Sequence, residues 1–243
     1  MTEALTPGEF AKALQEKREA QRRRKLWRGG ALGAAVVLVA LAVYLAFFSS
    51  VFAVKQVSVA GAGLLTVDEV KAAAQVPLGQ PLLTQDLGGV RQRIEDLPAV
   101  RSAEVERQFP DVVAVTIEER AVAFLRERDG EFDWIDPEGV SFHRTADPLP
   151  QQLVADVAVV EDEQRLLADV ATVATAVPPE VRAQVVAIQA EAVDRISLLL
   201  DEGRTVVWGS ADESPLKAEV IAALISVEAE TYDVSAPGHP TTR

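Results

Sequence analysis

Apolar positions fall into one long unbroken run near the start of the chain and many short periodic runs after it. Residues 29–48 read GGALGAAVVLVALAVYLAFF, twenty positions without a charge. At about 1.5 Å per residue a helix of that length spans about 30 Å, the thickness of a bilayer's hydrocarbon core. No other segment approaches it, so one membrane-spanning helix is expected over 29–48, with Trp27 placed to anchor it at headgroup level. Residues 52–60 are β-prone and close at Gly61-Ala62-Gly63. Thr66 and Glu69 have the spacing of a capping box, opening a helix that reaches about Gln75 and stops at Pro77. A second helix over 86–97 puts Leu87, Val90, Ile94 and Leu97 on one face and ends at Pro98. Residues 100–108 alternate Ala103 and Val105 against Glu104 and Glu106, and Val113, Val115 and Ile117 alternate on the next strand. The turn between them is Phe109-Pro110-Asp111-Val112. Residues 51–120 therefore read strand, helix, helix, strand, strand.

From 121 to 237 the runs are shorter. Strands at 121–127 and 132–135 flank Asp129-Gly130, a hairpin signal, and Asp136-Pro137-Glu138-Gly139 turns into a strand at 140–142. Trp134 and Phe142 are expected in the core. A helix over 162–177 ends at Pro178-Pro179, and antiparallel strands follow at 185–188, 195–200 and 205–209. Ser214-Pro215 reads as an N-cap with proline at the first helical position, and Leu216, Val220, Leu224 and Val227 are expected to hold that helix on the sheet. The last strand expected is Tyr232, Asp233, Val234, Ser235 and Ala236, before a tail at 238–243. A final strand is a sheet edge whose free N–H and C=O groups can accept a strand from another chain.

Charge adds orientation. Residues 1–28 carry a net +4, and the remaining 215 residues a net −17. The basic cluster before the span places 1–28 in the cytoplasm and the rest outside, by the positive-inside rule. A cleaved signal peptide fits less well, because the apolar run exceeds the about 7–15 residues of a signal core. The acidic bulk argues against nucleic acid as a partner. Cysteine is absent and only His143 and His239 are present, so thiolate and multi-histidine metal sites are excluded and no cofactor is expected. No hydrolase, zinc or phosphate-loop motif occurs. Asp133, Asp136 and His143 are close in sequence, but aspartates beside turns usually serve the turn; no catalytic residue is assigned. Arg107 and Arg120 are expected to pair with carboxylates on the sheet edge.

The run VERQFPDVVAVTIEERAVAFL (105–125), with FAVKQVSVAG after the span, PLLTQD before the second helix and IEDLPAVRSAEVER across its end, resembles a POTRA domain of the FtsQ/DivIB type. Val113 and Ala121 depart from the family's frequent Leu and Pro, and both changes keep the strand apolar. The resemblance covers roughly residues 25–236 and implies an α+β protein. It would comprise a cytoplasmic tail (1–28), one transmembrane helix (29–48), a POTRA domain (51–120, β-α-α-β-β) and a mixed or antiparallel β domain with packed helices (121–237). It further implies a non-enzymatic, single-pass scaffold of the bacterial divisome at the septum, influencing septal peptidoglycan synthesis. Its implied partners are FtsB/DivIC-like and FtsL-like membrane proteins, the first adding a strand at Tyr232–Ala236. Two other readings remain: a POTRA-bearing transport or assembly factor, and a signal-anchored envelope enzyme.

Overall fold

The computed structural model describes Trp27 and residues 29–41, 43–45 and 49–243. The basic tail, Trp27 apart, and part of the expected span lie outside these. Residues 29–41 and 43–45 are helical. Among the described residues no helix is long and apolar enough to cross a membrane.

The described residues fall into two compact units, those within Met1–Ser58 with Gln75–Val90 and Val105–Val115, and Val59–Ala74 with Arg91–Glu104 and Thr116–Arg243. Elements β1 (Gln56–Ala60), α1 (Val67–Ala74), α2 (Leu87–Glu95), β2 (Val100–Gln108) and β3 (Val112–Glu119) follow in the expected order, and the strands form a sheet in the order β1-β3-β2. β1 starts later than the β-prone run, because Ser50–Phe52 wind into a 3-10 turn capped by the Ser49 hydroxyl, which accepts from the Val51 amide at 3.2 Å.

In the first unit Val54, Leu82, Val90, Val113 and Val115 are buried. Arg107 differs from expectation: its guanidinium donates to the carbonyls of Leu82 (3.0 Å) and Gln85 (2.8 Å), tying down the turn before α2 rather than pairing with a carboxylate. In the second unit the capping box forms as read, with the Thr66 amide donating to Glu69 Oε2 at 2.7 Å and the Glu69 amide to Thr66 Oγ1 at 3.2 Å. Gly61 has φ +86°, and a Cβ there would lie 2.0 Å from the Ile117 carbonyl oxygen, so the bend after β1 requires glycine.

That bend is held by Glu119, whose carboxylate accepts from the amides of Gly63 (3.0 Å), Leu64 (2.8 Å) and Leu65 (2.8 Å). Burial pushes this carboxyl up, and the three amide donors together outweigh it and hold it below its ordinary value. A depressed native value gives stability that is complete above the unfolded value of about 4.3 and is lost as pH falls through the folded value. Unfolding midpoints measured in urea across that acidic range should fall for the native chain and fall less steeply for Glu119→Gln.

The second unit also contains a nine-stranded mixed sheet in the order β12-β11-β10-β9-β8-β7-β4-β5-β6. Its strands are β4 (Phe124–Arg128), β5 (Glu131–Ile135), β6 (Ser141–Thr145), β7 (Val154–Val157), β8 (Val185–Ala192), β9 (Arg195–Leu200), β10 (Thr205–Gly209), β11 (Thr231–Asp233) and β12 (Thr241–Thr242). Helices α3 (Glu163–Ala176), α4 (Pro179–Arg182) and α5 (Ser214–Leu224) complete it. The Asp129-Gly130 hairpin forms with φ of 55° and 79°, the pair of positive values a type I′ turn needs. Asp162 caps α3 through the Arg165 amide at 3.3 Å. Leu166, Val170, Val173 and Ala174 of that helix bury themselves on Phe124, Ile188, Leu198 and Trp208 of the sheet's core.

α5 corrects two expectations. Val220 and Leu224 pack against the sheet's core as expected, but the residues buried fully are Ser214, Lys217 and Ile221, and Leu216 and Val227 are 44% and 45% exposed. Ser214 does not cap the helix; its hydroxyl donates to the Ala211 carbonyl at 2.7 Å and accepts from the Trp208 indole at 3.0 Å. Lys217 lies along the inward face and reaches out to the Ser210 carbonyl at 2.8 Å. Burial pushes its ammonium down, against the pull of Asp212 and Glu213.

Candidate functional site

The segment expected to form the last strand is shorter than read and is not the last. β11 ends at Asp233, because the Asp233 carboxylate turns back to accept from the Ser235 amide (3.0 Å) and hydroxyl (2.7 Å). β11 pairs in parallel with β10, Val206 opposite Tyr232, and the Val234 amide continues the ladder to the Val207 carbonyl at 3.0 Å. On its other side lies β12, a two-residue strand within the expected tail, with Tyr232 opposite Thr242 and Asp233 opposite Thr241. The Thr231 amide donates to the Arg243 carbonyl at 3.0 Å and the Arg243 amide returns a bond to Thr231 at 2.9 Å. The outer edge of the sheet at this end is thus two exposed threonines.

The five candidate residues divide by the period of the strand. Tyr232 and Val234 are fully buried, and the Tyr232 hydroxyl donates to the Val227 carbonyl at 2.6 Å. They hold the segment down and present no side chain outward. Asp233 is half-buried, and Ser235 and Ala236 are exposed. Beside the strand opens a cleft of about 580 Å³ lined by Arg204, Val227, Glu230, Tyr232 and Arg243, among others. The loop that builds it (225–230) and the terminal Arg243 carried no sequence signal, since the cleft exists only when β11 docks between β10 and β12.

The cluster weighed for acid–base chemistry is otherwise engaged. Asp136 is fully buried; it accepts from the Glu138 amide (3.0 Å), the Val140 amide (2.8 Å) and the Arg120 guanidinium. Arg120 therefore finds a carboxylate as expected, though a buried one at a turn, and also donates to the Pro98 carbonyl at 3.1 Å. Asp133 pairs with Arg144 at 2.5 Å. His143 lies edge-on against Trp134 with ring centres 4.6 Å apart, and Phe142 packs on the same indole at 6.1 Å. Among the described residues no group of three or more His, Asp or Glu side chains comes together as a metal site.

Comparison with known proteins agrees with this architecture. A family model described as POTRA domain, FtsQ-type, matches residues 52–120, and one described as Cell division protein FtsQ/DivIB, C-terminal, matches residues 123–235. A curated cell division protein FtsQ from Streptomyces bingchenggensis is 36% identical over 237 residues, covering 91% of this chain and 89% of the relative. The FtsQ of Streptomyces venezuelae is 35% identical over 85% of this chain and 80% of its own length. That of Mycobacterium tuberculosis is 35% identical over 88% of this chain and 68% of its own length. The chain belongs to the FtsQ/DivIB family of cell-division proteins.

Proposed function

We propose that this protein is a non-enzymatic, single-pass membrane scaffold of the divisome. Residues 29–48 cross the cytoplasmic membrane, 1–28 stay in the cytoplasm, and domains at 51–120 and 121–237 stand outside at the septum. The charge-free run after a basic cluster supports that topology. In this reading the scaffold gathers FtsB/DivIC-like and FtsL-like proteins and so helps to control septal peptidoglycan synthesis.

The observation that carries the recruitment reading is the edge at β11. An FtsB/DivIC-like segment takes the place of β12 and pairs with Tyr232–Ala236. Its main-chain bonds go to the outward groups of Thr231 and Asp233, and its side chains lie near Arg204 and Glu230, where the tail sits in the free protein. β12 is short and solvent-exposed, so exchanging it costs few bonds.

Asp233→Pro tests this. Proline deletes the outward N–H and sets a ring where the partner strand must approach, while the inward bond from the Val234 amide to Val207 is untouched. The full-length variant, purified from membranes, should retain FtsB/DivIC-like protein about tenfold less than the native chain, the size expected when about 1.4 kcal/mol of backbone pairing is lost. Asp233→Ala, which removes the side chain and keeps the N–H, should retain it. Equal retention by both variants would place recruitment elsewhere.

A further inference from the structure

The first unit carries exposed apolar side chains from three separate stretches. Val51, Leu78 and Phe109 are 56%, 62% and 56% exposed. Backbone pairing brings these stretches alongside one another. On one flank of residues 53–55, the Val54 amide donates to the Gln80 carbonyl at 2.9 Å and the Gly79 amide to the Val54 carbonyl at 2.8 Å. On the other flank the Lys55 amide donates to the Asp111 carbonyl at 2.8 Å, and the Phe52 ring meets Phe109 edge-on with centres 6.3 Å apart. The interior beneath is already filled by Val54 and Leu82, both buried. Scattered exposed apolar residues are ordinary, but here they cluster at the place where the chain enters the unit.

Chain length says what faces them. With 29–48 as the membrane span, Val51 is three residues beyond its end. Three residues reach about 10 Å at most, and the 3-10 turn at Ser50–Phe52, at about 2 Å rise per residue, shortens that. The headgroup layer extends about 5–8 Å beyond the hydrocarbon core. Val51 and Phe52 are therefore held at headgroup depth, where aromatic rings partition favourably, and Phe109 and Leu78 flank them. The charges at this spot suit the same surface. Lys55, 62% exposed at its side chain, can extend its ammonium to lipid phosphates, and Asp111 is neutralised by it at 2.7 Å.

We propose that Val51, Phe52, Leu78 and Phe109 form a lipid-contacting patch that seats the first unit in the headgroup layer of the bilayer. The inference rests on the reading of 29–48 as a membrane span.

Because the chain has no cysteine, single-cysteine labelling tests it without background. The full chain is reconstituted in phosphatidylcholine–phosphatidylglycerol vesicles, and a fluorescent label at Leu78→Cys or Phe109→Cys is exposed to nitroxide-bearing phospholipid. Val37→Cys reports the span, and Val186→Cys, at a position 61% exposed on β8, serves as the control label. Labels at 78 and 109 should be quenched severalfold more than the label at 186. Quenching at 37, with no more at 78 and 109 than at 186, overturns the patch and leaves the span standing. No quenching at 37 overturns both. Labels at 78 and 109 shielded from aqueous iodide yet untouched by lipid nitroxide would mean a protein occupant, and would also overturn the lipid assignment.

Discussion

Trp208→Ala is expected to destabilise the nine-stranded sheet by about 3–5 kcal/mol, the range for truncating a large buried aromatic side chain. Trp208, on β10, is fully buried in the sheet's core cluster together with residues of α3 and α5. Its removal leaves a cavity that the other close-packed members of the cluster, such as Val170 and Ile221, cannot fill without leaving their own positions. It also withdraws the indole N–H from Ser214, which fixes the start of α5. Denaturant unfolding of the full chain, followed by far-ultraviolet circular dichroism, reads the loss. Trp208→Phe keeps most of the volume and should lose less. Equal stability of Trp208→Ala and native protein would mean that the α3–α5 layer does not depend on this side chain.

Asp136→Ala is expected to cost about 3 kcal/mol or more, as removing one partner of a buried ion pair generally does. Three donors lose their acceptor at once: the amides of Glu138 and Val140 and the guanidinium of Arg120. The turn it organises has no slack. Gly139 has φ +78°, and a Cβ there would lie 2.6 Å from both the Gln164 carbonyl oxygen and the Ala168 nitrogen of α3. A loosened turn cannot shift without striking that helix. Asp136→Asn keeps an acceptor for the two amides and loses only the charge facing Arg120, so its loss should be smaller. The same unfolding measurement distinguishes the two variants.

Local chemistry made much of this fold legible in the sequence. Thr66 and Glu69 close a capping box, Asp129-Gly130 closes a hairpin, and Val113, Val115 and Ile117 alternate into the core, each through interactions spanning a few residues. Signals failed where tertiary context decides. α5 is apolar on most sides, so its pattern placed Val220 and Leu224 on the sheet but did not show that Ser214, Lys217 and Ile221 turn fully inward. Lysine faces inward because its methylenes pack while its ammonium reaches the Ser210 carbonyl. β7 has four residues and borrows its definition from parallel neighbours β4 and β8 on both sides. β12 has two residues and exists only because β11 offers it an edge. The candidate site suffers the same limit. The resemblance pointed to Tyr232–Ala236, but nothing local showed that Tyr232 and Val234 point inward or that the tail returns to cover the strand.

The measurement that tests the recruitment claim most directly is hydrogen exchange at the Thr231 and Asp233 amides of the full-length protein, with and without the extracytoplasmic segment of an FtsB/DivIC-like partner. Both amides should exchange more slowly on binding, while the Arg243 amide, which bonds Thr231 in the free protein and is released when β12 gives way, exchanges faster. Partner binding that leaves the exchange of Thr231, Asp233 and Arg243 unchanged would contradict the recruitment claim.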